Sequence, residues 1–180
     1  FEPCYMYRWS FNMKTGAVRE TQVDDWAHAF PRVDDRVIGL KHRYGWVAGS
    51  RPGATGEMGE PGVVARYDMS DGSKTIHDLG PNAHPGEFVF VQDSASANED
   101  EGYAMGFVYD DATDSTDLVI LDASDLSKAP VARVHLPQRV PFGPTRRHLW
   151  NGEAFLPTPS LQRCHGRSTS RRRSGVALTT

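Results

Sequence analysis

Gly86-Glu87-Phe88-Val89-Phe90-Val91 opens a run that passes through Glu99-Asp100-Glu101-Gly102-Tyr103 and Leu118-Val119-Ile120-Leu121-Asp122-Ala123-Ser124-Asp125-Leu126. It continues through Ala132-Arg133-Val134-His135-Leu136-Pro137 and leaves by Arg139-Val140-Pro141-Phe142-Gly143. Phe88 to Val91 and Leu118 to Leu121 are short apolar runs rich in β-branched and aromatic residues, the composition of buried strands. Glu99 to Gly102 is an acidic turn between them, and the prolines at 137 and 141 bound the exit. Glu87 stands directly before an apolar strand and reads as a carboxylate drawn toward the interior.

Outward from this run, hairpin signals dominate. Tyr5 to Phe11 alternates aromatic and polar residues, Asn12-Met13-Lys14-Thr15-Gly16 supplies a turn, and Val18 to Val23 returns. Val63 to Tyr67, the turn Asp68-Met69-Ser70-Asp71-Gly72 and Lys74 to His77 repeat the order, as do Tyr103 to Tyr109, Asp110 to Ser115 and Leu118 to Leu121. Units recurring at roughly 40–60 residues fit antiparallel blades of a β-propeller better than a sandwich. No stretch carries an apolar stripe at helical spacing, and Asp122 to Ser127 is long enough for one short turn. The expected fold class is mainly β.

Composition excludes several functions. With 180 residues and 38% hydrophobic content, the chain can bury a sizeable core. No apolar run approaches the roughly 18–20 residues that span a bilayer. The start, Phe1-Glu2-Pro3-Cys4, has neither the basic nor the apolar region of a signal peptide, so secretion is not indicated and a cytoplasmic location is expected. The chain does not begin with Met and Tyr5 already reads as strand, so a missing N-terminal portion is expected. Cys4 and Cys164 form neither a disulfide framework nor a zinc spacing. The glycine-rich stretch 49–62 lacks a phosphate-loop order and reads as a connection, and Ser94 to Glu101 reads as a solvated polar loop.

Charge divides the chain. Residues 1–143 hold 13 Lys and Arg against 22 Asp and Glu, a balance of −9, whereas residues 144–180 hold 7 against 1, a balance of +6. The tail, with Arg163, Arg167 and Arg171-Arg172-Arg173 among serines, has the composition of a basic arm for phosphates, yet it lacks interleaved aromatics. Nucleic acid is therefore not the expected partner. The preferred reading of 144–180 is an atypical tail, disordered or translated out of frame.

The run 86–143 resembles the C-terminal part of the carotenoid cleavage oxygenases, which split carotenoids, apocarotenoids and lignostilbenes. Tyr7-Arg8-Trp9-Ser10-Phe11, Gly16-Ala17-Val18, Asp24-Asp25, Phe30-Pro31-Arg32-Val33-Asp34 and His42-Arg43-Tyr44-Gly45-Trp46 look like further landmarks of that family in the same order, so the resemblance covers about residues 5–143. It implies a seven-bladed propeller, present here as an incomplete arc of about three blades, with Fe(2+) on the axis held by four histidines and glutamates behind three of them. It also implies a conjugated apolar substrate, a polyene or stilbene, and O2 as co-substrate, and it leaves peripheral membrane contact open.

Carried onto this chain, the resemblance gives Glu87 the role of a glutamate orienting an iron-ligand histidine; the alternative is an exposed carboxylate at a strand start. Ala29 stands where another such glutamate is expected, before Phe30-Pro31-Arg32. The family's last iron histidine should follow Gly143 at once, but the chain continues Pro144-Thr145-Arg146-Arg147-His148. His148 is the candidate metal ligand, displaced by several residues, with a surface histidine as the alternative. His28, His42, His77, His84 and His135 lack metal-ligand spacing and read as solvent-facing or hydrogen-bonded. The isolated chain is expected not to catalyse. A noncatalytic β-propeller fragment or binding module is the rival reading.

Overall fold

Asn12, Asp68 and Asp110 each turn the chain in the same way. The side-chain Oδ1 of each accepts backbone N–H bonds from the turn: from Lys14 at 2.9 Å, from Ser70 at 2.9 Å and from Ala112 at 2.9 Å. Four residues after each, the backbone enters the left-handed region, at Gly16 (φ 71°), Gly72 (φ 75°) and Asp114 (φ 49°). An Asx turn followed by a left-handed residue reverses a strand within a few residues. These turns join β1 (Tyr5–Phe11) to β2 (Val18–Gln22), β5 (Gly62–Asp68) to β6 (Lys74–Asp78), and β8 (Gly102–Asp110) to β9 (Ser115–Asp122).

The remaining strands are β3 (His28–Arg32), β4 (Tyr44–Ser50), β7 (Ala83–Gln92), β10 (Ala132–His135) and β11 (Gly175–Ala177). A single 3₁₀ turn, Asp35–Val37, lies between β3 and β4. This computed structural model describes residues 3–55, 60–94 and 98–141, and the backbone of 175–177. The expected basic tail from 144 therefore lies, β11 apart, outside the described residues.

Two sheets are four-stranded antiparallel meanders, β3-β4-β5-β6 and β7-β8-β9-β10. In each, the first strand forms one edge and the chain works outward strand by strand, which is the build of a propeller blade. The third sheet is the β1–β2 hairpin, with β11 pairing parallel to β1. β7 packs against β3, β4 and β5, so the two full blades stack face to face along their first strands.

The blades are held by two apolar layers. One lies between the full blades, where Trp46 is fully buried and stacks on Phe90 at 4.8 Å between ring centroids. Phe88 is fully buried in the same layer, and its ring occupies the space above Gly106. The other layer joins Met6 and Trp26 to Val47, Val63, Ala65 and Tyr67 on the opposite face of the first full blade. β4 and β5 are thus buried on both faces, which explains why they read as near-continuous apolar runs rather than alternating ones.

Candidate functional site

The edge strands β3 and β7 carry the same irregularity. In β3, Ala29 faces Ala48 and Arg32 faces Trp46, leaving Phe30 and Pro31 opposite one residue. In β7, Pro85 faces Val108 and Phe88 faces Gly106, leaving Gly86 and Glu87 opposite one residue. Each is a β-bulge, a device that bends a strand and re-aims its side chains. Phe30 sits at φ 55°, a region that non-glycine residues enter at a cost. Pro31 biases its predecessor toward extended backbone, so this conformation is imposed by the sheet rather than by local preference.

The two bulges meet through an ion pair. Glu87 is only 7% exposed, which rules out the surface-carboxylate alternative, and its Oε1 lies 3.3 Å from Arg32 Nη1. Arg32 Nη2 in turn donates to Asp35 Oδ1 at 3.5 Å. Asp35 opens the 3₁₀ turn that the buried Asp34 caps, accepting from Arg36 N at 2.9 Å and Arg36 Nε at 2.7 Å. Arg32 figured in the sequence only as part of a landmark. Its partnership with Glu87 joins strands 55 residues apart and left no local signal.

A second contact crosses between the blades. Glu99 Oε1 accepts from the backbone N–H of Arg43 at 2.6 Å and of Tyr44 at 2.7 Å, and Asp100 pairs with Arg66 at 3.1 Å. The Arg66 guanidinium lies 4.1 Å from the Tyr44 ring centroid and that of Arg43 lies 4.9 Å away. The expectation of a solvated loop is corrected here: Glu99 and Asp100 are spent on holding the neighbouring blade.

Of the five histidines expected to be solvent-facing or hydrogen-bonded, His135 is exposed, and His28, His42, His77 and His84 are buried. The hydrogen-bonded half of the expectation holds for His77, which meets the Leu126 carbonyl at 2.9 Å, for His84, which meets Asp111 at 3.1 Å, and for His42, at 3.4 Å from the Leu40 carbonyl. His135 meets Asp117 at 2.7 Å. His28 is caged edge-on between Trp26 and Tyr67, and burial foremost pushes its imidazole below the ordinary histidine range. Beside it, burial alone would raise Asp24, but bonds from Lys74, Tyr67 and the Trp26 amide outweigh this and hold it at about 2.

Among the described residues, no three His, Cys, Asp or Glu side chains gather as a metal-ligand group. Glu87 suits the supporting position instead. It is buried, anchored through Oε1, and a carboxylate has lone pairs enough to accept a ring N–H as well. The described residues thus include a carboxylate of the kind that supports a metal-bound imidazole, and no group of metal ligands. Ala29, paired with Ala48 in β3, carries no side chain able to orient an imidazole. His148 lies outside the described residues.

A family model described as retinal pigment epithelial membrane protein matches residues 1–144. The chain belongs to this family, the carotenoid oxygenases. Among its relatives, a carotenoid cleavage oxygenase of Mycobacterium tuberculosis is 37% identical over 140 residues, covering 76% of this chain and 27% of the relative. Cobalt-substituted apocarotenoid oxygenase (ACO) of Synechocystis superposes with a TM-score of 0.74 at 22% identity, covering 79% of this chain and 29% of that one. Lignostilbene dioxygenase of Pseudomonas brassicacearum gives 0.70 at 26% identity, covering 77% and 31%. The chain therefore spans less than a third of the length of each of these relatives, and its sheets are an incomplete set of blades from a seven-bladed propeller. No helix among the described residues is long and apolar enough to cross a membrane.

Proposed function

We propose that the chain is the C-terminal part of a non-haem iron(II) dioxygenase that oxidatively cleaves a conjugated C=C bond of a carotenoid, apocarotenoid or stilbene. The observation that carries this reading is Glu87: a buried carboxylate at a bulge on the edge strand of a blade, in a chain whose relatives are named for that cleavage. Glu87 accepts the ring N–H of a histidine supplied by the rest of the propeller and fixes which nitrogen faces the metal. Ferrous iron, when bound, supplies the redox chemistry by which dioxygen reacts with an alkene. The chain's own part is to hold that imidazole and to wall the site with the packed face behind Phe88. The complete protein takes an apolar polyene or stilbene and O2 as substrates, in the cytoplasm or at a membrane surface, without nucleic acid.

Ala29 favours a second reading, a catalytically inactive propeller piece. A fusion separates the two: the upstream portion of the Mycobacterium tuberculosis relative, then residues 1–143 of this chain, then the relative's own C-terminal end. Stoichiometric iron and oxygen-dependent cleavage of an apocarotenal or a stilbene are expected. A folded fusion that takes up no iron supports the inactive reading. A second fusion keeping residues 144–180 tests His148, whose replacement by Ala is expected to leave iron content unchanged. The 180-residue chain alone is expected to hold no stoichiometric iron, and turnover by it would overturn the view that it is one arc of the enzyme.

A further inference from the structure

We propose that Arg32 is a positioning residue: it sets the direction of the Glu87 carboxylate across the seam between two blades, and through it the imidazole that Glu87 orients. The inference rests on the role given to Glu87 above. Three observations lead to it. First, the partners belong to different blades and are brought together by matching bulges, so their meeting is a product of blade packing and not of either strand alone. Second, Arg32 is itself held. Its Nη1 faces Glu87 Oε1 at 3.3 Å while Nη2 faces Asp35 Oδ1 at 3.5 Å, and Asp35 belongs to a turn capped by the buried Asp34. A planar guanidinium engaged on two of its nitrogens has a fixed plane, which an ammonium group would not. Third, Ala29 offers no carboxylate on the β3 side of the seam, so Glu87 is the one carboxylate that the two bulges present.

A carboxylate can rotate about its terminal torsion, which is broad for glutamate. Pairing Oε1 with Arg32 restrains that rotation, and with it the direction from which the carboxylate accepts a ring N–H. Loss of an outer partner of a metal-bound histidine typically costs about 10–100-fold in metal affinity. Arg32 acts one step further out and is expected to account for about 10-fold of that range.

The test uses the fusion bearing residues 1–143, with cobalt(II) alone as the probe, read by affinity and by its absorption spectrum. Unfolding midpoints of the same variants in the full 180-residue chain serve as the folding control. Arg32→Met is expected to weaken cobalt binding about 10-fold and to shift the spectrum. Arg32→Lys, which keeps the charge and loses the planar fork, is expected to recover the affinity in part. Glu87→Ala is expected to weaken binding at least as much, and Arg32→Met added to Glu87→Ala to change nothing further. If Glu87→Ala weakens cobalt binding and Arg32→Met leaves affinity and spectrum unchanged, the positioning role is wrong and the role of Glu87 stands. If Glu87→Ala changes neither, or the folded fusion binds no cobalt, the reading of Glu87 fails and this inference with it. Should Arg32→Met not fold, Arg32→Lys decides: a spectrum identical to that of the parent overturns the proposal.

Discussion

The two edge strands β3 and β7 share one backbone device and put it to different use. Both insert an extra residue against the second strand of their blade, yet β7 places Gly86 and Glu87 there while β3 places Phe30 and Pro31. The β7 bulge delivers a buried carboxylate. The β3 bulge carries a left-handed Phe30, no carboxylate at Ala29, and an arginine that reaches across to its neighbour. The difference teaches that the bulges are a property of the fold, whereas the chemistry depends on which side chain stands beside each.

The comparison breaks most completely at Phe88, the residue that closes the β7 bulge. Phe88→Ala empties a fully buried site against Gly106 and is expected to cost about 3–5 kcal/mol, read from urea unfolding. A loss under about 1 kcal/mol would show that the seam between the blades does not carry the stability assigned to it. Next comes Gly62→Ala. A Cβ at position 62 would lie 2.6 Å from the Gly49 carbonyl oxygen and 2.8 Å from Pro85 Cδ, forcing β5 away from the β7 bulge. About 1–3 kcal/mol of destabilisation is expected by the same measurement.

Sharpening the comparison means making the bulges alike. Ala29→Glu restores the missing carboxylate, and in the fusion it is expected to tighten cobalt binding about 10-fold; unchanged affinity would show that no imidazole waits at that place. Phe30→Gly gives β3 the residue that β7 has at Gly86 and is expected to raise thermal stability by about 1 kcal/mol through relief of the left-handed strain.

The smallest effect is in pH. His28 is neutral in its cage and its folded pKa is lowered, so the unfolded chain binds the proton more readily. Stability is then complete above the ordinary histidine pKa of about 6.5 and falls as pH drops below it. The Asp24 contribution is lost only lower, between about 4 and the value of about 2 at which it titrates when folded. His28→Phe is expected to flatten the slope of urea midpoint against pH between about 6.5 and 5.

Much of the fold was legible because its signals are local. The turns at Asn12 and Asp68 announce themselves by an Asx residue followed by glycine four positions on, and the third hairpin was found despite Asp114 replacing that glycine. The family landmarks and the interior character of Glu87 could also be read from short motifs. What escaped depends on packing between blades. Pro31 argues for an extended Phe30, and only the pairing of β3 with β4 shows otherwise. Glu99 looks like one acid of a soluble loop, and only the neighbouring blade reveals its two amide partners. The sequence leaves four histidines as either solvent-facing or hydrogen-bonded, and only the packing shows that His28, His42, His77 and His84 are buried.

The Glu99 contact has a mechanical corollary. Because one carboxylate terminates the backbone of β4 from a loop of the next sheet, neither sheet can peel off without stranding two amide donors. The Tyr44 amide should accordingly exchange its proton only when both sheets open together, making it a reporter of the arc melting as one cooperative unit.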